Sequence, residues 1–111
     1  MELNQTPRGM YDTLGRLTEA DPQMTIQSLR TFLLVAMNEG ASLKELADRI
    51  GLPQASTGRY LQDLSDSGRL MAGKRKASMG LVRSEVDPNE MRRKMFTLTP
   101  KGRKFLADLL G

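Results

Sequence analysis

Neither cysteine nor histidine occurs among the 111 residues of this chain. Without cysteine there are no disulfides and no thiolate nucleophile. Without histidine there is no imidazole base, and without both nearly every structural zinc site is excluded. Long apolar runs are missing too, because no stretch approaches the roughly 18 residues that a membrane-spanning helix needs. The opening "MELNQTPRGMYD" lacks the apolar centre of a secretory signal, so a cytoplasmic location and no membrane partner are expected. Ser42, Ser56 and Ser65 read as caps or polar surface, and the carboxylates show no metal-ligand spacing. No enzyme, no cofactor and no metal site are therefore expected. Internal repeats and low-complexity tracts are absent as well.

What is present is a soluble composition, 39% apolar and 27% charged, in a length that suits one core. Charge is unevenly placed. Residues 1–67 carry six basic and nine acidic side chains, a balance of −3, whereas residues 68–111 carry eleven and four, a balance of +7. Such asymmetry fits either a face for a polyanion or a solvated basic surface.

The apolar spacing supplies the elements. Met10, Leu14 and Leu17 form a weak helical stripe, and Asp21-Pro22 reads as a boundary. From Thr25 to Asn38 the helix is apolar on most sides, with Ile26, Leu29, Leu33, Ala36 and Met37 on one, as in a central buried helix. Ser42 with Glu45 is a capping box opening a helix of about two turns, and Gly51 supplies its left-handed stop. The next helix starts near Pro53 or Gln54 and runs to about Ser67-Gly68, with Thr57, Leu61 and Leu64 inward. Residues 69–79 show no period and read as a loop opening with a short strand at Arg69–Met71. Residues 80–86 and 94–99 read as strands joined through "DPNEMRR", and Thr99-Pro100 starts a last helix carrying Phe105, Leu106, Leu109 and Leu110.

Helix, helix, helix–turn–helix, hairpin and helix make a winged helix: mainly α (α+β), with a two- to three-stranded β-wing. A short turn between two helices holds the second one proud of the body, and one helix fits the DNA major groove. Its outward face carries Gln54, Ala55, Ser56, Arg59, Gln62 and Asp63. Arginine can pair guanine and glutamine adenine, while alanine leaves room for close approach. Arg92, Arg93 and Lys94 close the hairpin and can enter the minor groove or hold phosphates. Lys74, Arg75 and Lys76 fit either a second phosphate-binding loop or a solvated excursion. Gly58 costs the helix about 1 kcal/mol against alanine, a cost explained if something approaches closely there.

The stretches "SLKELADRIGLPQASTGRYLQDL" and "DPNEMRRKMFTLTPKG" resemble the MarR-type winged-helix transcription regulators. Asp87-Pro88, Arg92, Leu98-Thr99 and Gly102 fall at that family's intervals, over a resemblance spanning residues 25–110. Glu90 stands for the family's usual aspartate, Met91 for a commonly basic residue and Pro53 for a serine or threonine cap; about twelve residues are inserted before the wing. The resemblance implies a sequence-specific regulator, a repressor from a bacterium or bacterial virus, acting on double-stranded DNA by occupation of its operator. It places Arg92 at the minor groove, oriented by Asp87 or Glu90. It also implies a homodimer, with residues 1–24 as an N-terminal arm and 25–111 as the DNA-binding domain; Met10, Leu14, Phe105 and Leu109 fit either the subunit contact or the completion of the core. The family holds small aromatic effectors, but here little chain remains to build a pocket and no effector is identified. The competing reading is a protein-docking module, motivated by Asp63 and Asp66, whose charges would repel phosphates.

Overall fold

The computed structural model describes residues 6–20, 24–65, 69–71, 74–76 and 79–110, with only the backbone of 20, 69–71 and 74–76. Among these residues, five helices and two antiparallel strand pairs form a winged helix-turn-helix. Asp21-Pro22, Asp66 and Ser67-Gly68 lie outside the described residues.

Helix α1 runs Pro7–Ala20, longer than the stripe Met10–Leu17 predicts. Its start is set by Thr6, whose hydroxyl accepts the Gly9 N–H at 2.9 Å, with Pro7 at the first helical position. Only Leu17 of the predicted stripe is buried, while Met10 and Leu14 are exposed. Helix α2, Ile26–Met37, is capped by the Thr25 side chain. Its inward face differs from the expected one: Ser28, Thr31, Phe32 and Val35 are buried, whereas Ile26 and Met37 are 74% and 72% exposed. Thr31 tolerates burial because its hydroxyl donates to the Gln27 carbonyl at 2.8 Å.

Helix α3, Leu43–Ile50, has both hydrogen bonds of the expected capping box, and Gly51 closes it at φ 78°, where a side chain would be strained. Helix α4, Gln54–Leu64, buries Thr57, Leu61 and Leu64 as expected. It ends three residues short of Ser67, because Ser65 leaves the helix and bridges in parallel to Val82. The short strand expected at Arg69–Met71 is present as β1, and the stretch after it, expected to be a loop, contains its antiparallel partner β2, Lys74–Lys76. Strands of three residues are too short for a period of two to show.

The wing is β3 Val82–Asp87 against β4 Glu90–Leu98, with a bridge from Ala41 to Phe96 adding a third row. β4 starts earlier than predicted, so Glu90–Arg93 belong to the ribbon rather than to its turn. Helix α5, Pro100–Leu110, returns along α1, where an Arg16 Nη1 N–H donates to the Leu109 carbonyl at 3.1 Å. Phe32 and Phe105 meet edge-to-face at 5.4 Å, and Leu46, Leu61, Leu64, Leu81, Val82 and Leu98 join Phe32 in one core. Glu39 ties three elements together: the Leu98 N–H donates to its carboxylate at 2.9 Å, and Arg103 of α5 donates to both oxygens. Among the described residues, the outer side of α4 and most of the wing lie outside this core.

Candidate nucleic-acid interface

Helix α4 is pinned from within. Thr57 donates its hydroxyl to the Pro53 carbonyl at 3.0 Å, and Pro53 itself provides no side-chain cap. With Thr57, Leu61 and Leu64 inward, the helical period sends Gln54, Ala55, Arg59 and Gln62 to solvent, and all four are exposed. Ser56 and Asp63, expected on the same outward face, are half-buried.

Beside α4 an open cleft of about 560 Å³ separates the helix from the wing. Its floor is apolar, from Leu43, Leu61 and Phe96; its walls carry Lys44, Arg92 and Lys94. Lys44 was not singled out in the sequence, although it stands two residues after the Ser42 cap, where the opening turn of α3 meets the cleft. Ser65 and Ser84 add hydroxyls to the wall. A Cβ added at Gly58 would meet only the Leu43 methyl carbons, at an ordinary 3.9 Å. No close packing within the described chain requires glycine there, and its place is on the cleft wall.

The three consecutive basic residues of the wing do different things. Arg92 and Lys94 are exposed and form no ion pair with a described residue. Arg93 turns back: Nη1 donates to Asp87 Oδ2 at 2.9 Å, and Nη2 donates to Glu45 and to the Gly40 carbonyl. The expected orienting contact of Asp87 with Arg92 is therefore made with Arg93 instead, and Glu90 has no ion pair to Arg92. The cause lies in the register, where Val86 pairs Lys94 but Asp87 pairs Glu90. Three residues of β4 have no counterpart on β3, and the bulge turns their side chains away from simple alternation. Lys74, Arg75 and Lys76 form β2, whose side chains lie outside the described residues.

The Arg93 clamp joins the wing to α3 and has a pH signature. The Ser42 N–H, then Arg93, hold the Glu45 carboxyl at about 2 against an ordinary 4.5. The Asn89 N–H and Arg93 lower Asp87 in the same direction, while its partial burial opposes them. A lowered folded-state value means that the unfolded chain binds the proton more readily, so the stabilisation is complete above about pH 5. It is expected to disappear as pH falls from 4.5 towards 2. Melting curves at pH 6 and pH 3 check this: Glu45→Gln should show a smaller acid-induced drop than the unaltered chain.

Comparison with known proteins bears on the fold. The IclR helix-turn-helix domain matches residues 33–70, from within α2 to β1. No curated protein matches the chain. Among solved structures, RV1404 from Mycobacterium tuberculosis superposes with a TM-score of 0.68 at 21% identity, covering 87% of this chain and 58% of that one. MarR gives 0.66 at 21% identity, covering 93% and 66%. The Staphylococcus aureus MepR–DNA complex gives 0.70 at 18% identity, covering 91% and 73%. The chain thus spans well under two thirds of the first of these proteins and just under two thirds of the second. At such identities the likeness is one of fold. No helix among the described residues is long and apolar enough to cross a membrane.

Proposed function

We propose that the chain is a sequence-specific regulator of transcription, of the MarR type, that binds double-stranded DNA and acts by occupying its operator without catalysis. One observation carries the reading: the exposed row Gln54, Ala55, Arg59 and Gln62 stands beside a cleft walled by Lys44, Arg92 and Lys94. Helix α4 reads base edges in the major groove. The cleft receives the phosphate strand between grooves, and Arg92 with Lys94 reaches the next minor groove or its rim. Arg93 positions the wing through its carboxylate partners. Ser56, half-buried, plays a lesser part, and Lys74, Arg75 and Lys76 supply phosphate contacts on the second ribbon. The fold's likeness to MepR, solved as a DNA complex, supports the choice of DNA.

We also propose a cytoplasmic homodimer, with residues 1–24 contributing to the subunit contact and 25–111 to DNA. Exposed Met10, Tyr11 and Leu14 of α1, with Leu110 of α5, support that contact. Two subunits would present two α4 helices to half-sites roughly 34 Å apart.

Selection from a random duplex pool followed by gel-shift titration tests the reading. The selected operator should bind far more tightly than bulk DNA. Arg59→Ala should cost about 10- to 100-fold on that operator and little on random duplex, as expected for one lost base contact. Equal affinity for every duplex, untouched by Arg59→Ala, would sink it. Capture of a protein partner without duplex binding would favour the docking module.

A further inference from the structure

The wing tip carries an apolar side chain that the fold does not use. Met91 is 77% exposed, and Val86 on the facing strand is exposed too. A solvated tip has no call for methionine, and its other residues, Pro88, Asn89, Glu90 and Arg92, suit water. Isolated surface methionines are common, so exposure alone decides nothing. The mount is what sets this one apart.

Met91 opens the run of β4 residues that have no partner on β3. The side of the bulge nearer the turn is tied by the Asn89 N–H, which donates to Asp87 Oδ1 at 2.8 Å. Its far side is tied by Arg93, which holds Asp87, Glu45 and the Gly40 carbonyl. The same carboxylate braces both sides, and the whole is anchored to α3. Met91 therefore projects from a fixed support. Inserting an apolar side chain between base pairs costs a few kcal/mol of stacking, which a floppy tip could not concentrate on one step. An unbranched thioether suits the gap, being slim, polarisable and adaptable.

The charges around it narrow the target. Arg92 draws the tip to the minor groove, but exposed Glu90 opposes the strong negative potential of a narrow A-tract groove. A wider groove at a step that unstacks easily suits this pair better. Resting on the DNA-binding reading above, we propose that Met91 is an apolar wedge that enters the minor groove beside Arg92 and opens a flexible pyrimidine–purine step, making that step part of the operator.

Two duplexes test it, the selected operator with a TA step under the wing and the same operator with an AA step there. Each carries 2-aminopurine at the step to report unstacking, and affinity is read by anisotropy. The unaltered chain should prefer the TA duplex by about tenfold, a typical penalty for one wrong position, and should raise the 2-aminopurine signal. Met91→Ala and Met91→Gln should lose both the preference and the signal while keeping the melting temperature, because the side chain is largely exposed. Met91→Leu should retain most of both. If Met91→Ala keeps the preference and the signal, or if the unaltered chain shows neither on DNA that it binds specifically, the wedge is overturned and the regulator stands. Absence of specific duplex binding by the unaltered chain overturns both.

Discussion

Gly102→Ala is expected to destabilise the protein by about 3 kcal/mol or more, a large share of the 5–15 kcal/mol that a domain this size has in reserve. Gly102 is buried in the first turn of α5, and a Cβ there would overlap the Leu81 carbonyl oxygen while standing 3.0 Å from its carbon and 3.3 Å from Leu81 Cα. Backbone, unlike the end of a flexible side chain, has nowhere to go. The Leu81 carbonyl accepts the Thr99 N–H at 3.1 Å, and the Leu81 N–H donates to the Leu64 carbonyl at 2.8 Å. Thr99 in turn caps α5 by accepting the Gly102 N–H at 2.9 Å, and donates its hydroxyl to the Gly80 carbonyl at 2.6 Å. One methyl group would therefore push on the end of α4, the root of the wing and the cap of α5 together. Melting temperature should fall by about 12 °C or more at 4 °C or more per kcal/mol. Gly15→Ala is the control with opposite sign. No described residue comes within 4 Å of a Cβ built there, so the better helix former should add about 0.5–1 kcal/mol. A melting temperature unchanged by Gly102→Ala would contradict the packing of Leu81 over α5.

How far this architecture could be read in advance depended on whether each signal was local. Ser42 with Glu45, Gly51, and Thr99 with Pro100 act through hydrogen bonds or backbone angles within one turn, and those boundaries stand where the residues put them. The stripe Thr57, Leu61, Leu64 is narrow and points one way, so the outer side of α4 followed from it. Helix α2 was the opposite case. Apolar nearly all round, it offers no unique face, and the one chosen by packing includes Ser28 and Thr31, whose hydroxyls are satisfied locally. The wing arginines failed differently. Arg92 and Arg93 are the same side chain one position apart, and a register slip against β3 decides which turns inward. Lys44 escaped notice because its meaning comes from the wing packed near it, some fifty residues downstream.

Salt should produce the steepest change of all, and its size reports the number of phosphates neutralised on the DNA. Arg93 and Arg103 are committed to carboxylates, and Lys104 is paired with Asp108, so they release few counterions on binding. Lys44, Arg59, Arg92 and Lys94 make no ion pair with a described residue and face the cleft or stand on the exposed side of α4. Four neutralised phosphates give log Kobs a slope of about −3.6 against log salt, or roughly 150-fold weaker binding at 200 mM than at 50 mM. Two subunits on one operator double the slope and raise the loss to about 10⁴-fold, with Lys74, Arg75 and Lys76 steepening it further. Lys44→Ala and Arg92→Ala should each flatten the slope by about 0.9 per subunit. Arg93→Ala should weaken binding with little effect on slope, since it removes a mount for the wing and not a phosphate contact. Anisotropy titrations across salt, with sedimentation equilibrium to count subunits, separate these outcomes. A flat salt dependence would leave the cleft cations without a polyanion and transfer the exposed side of α4 to a protein partner.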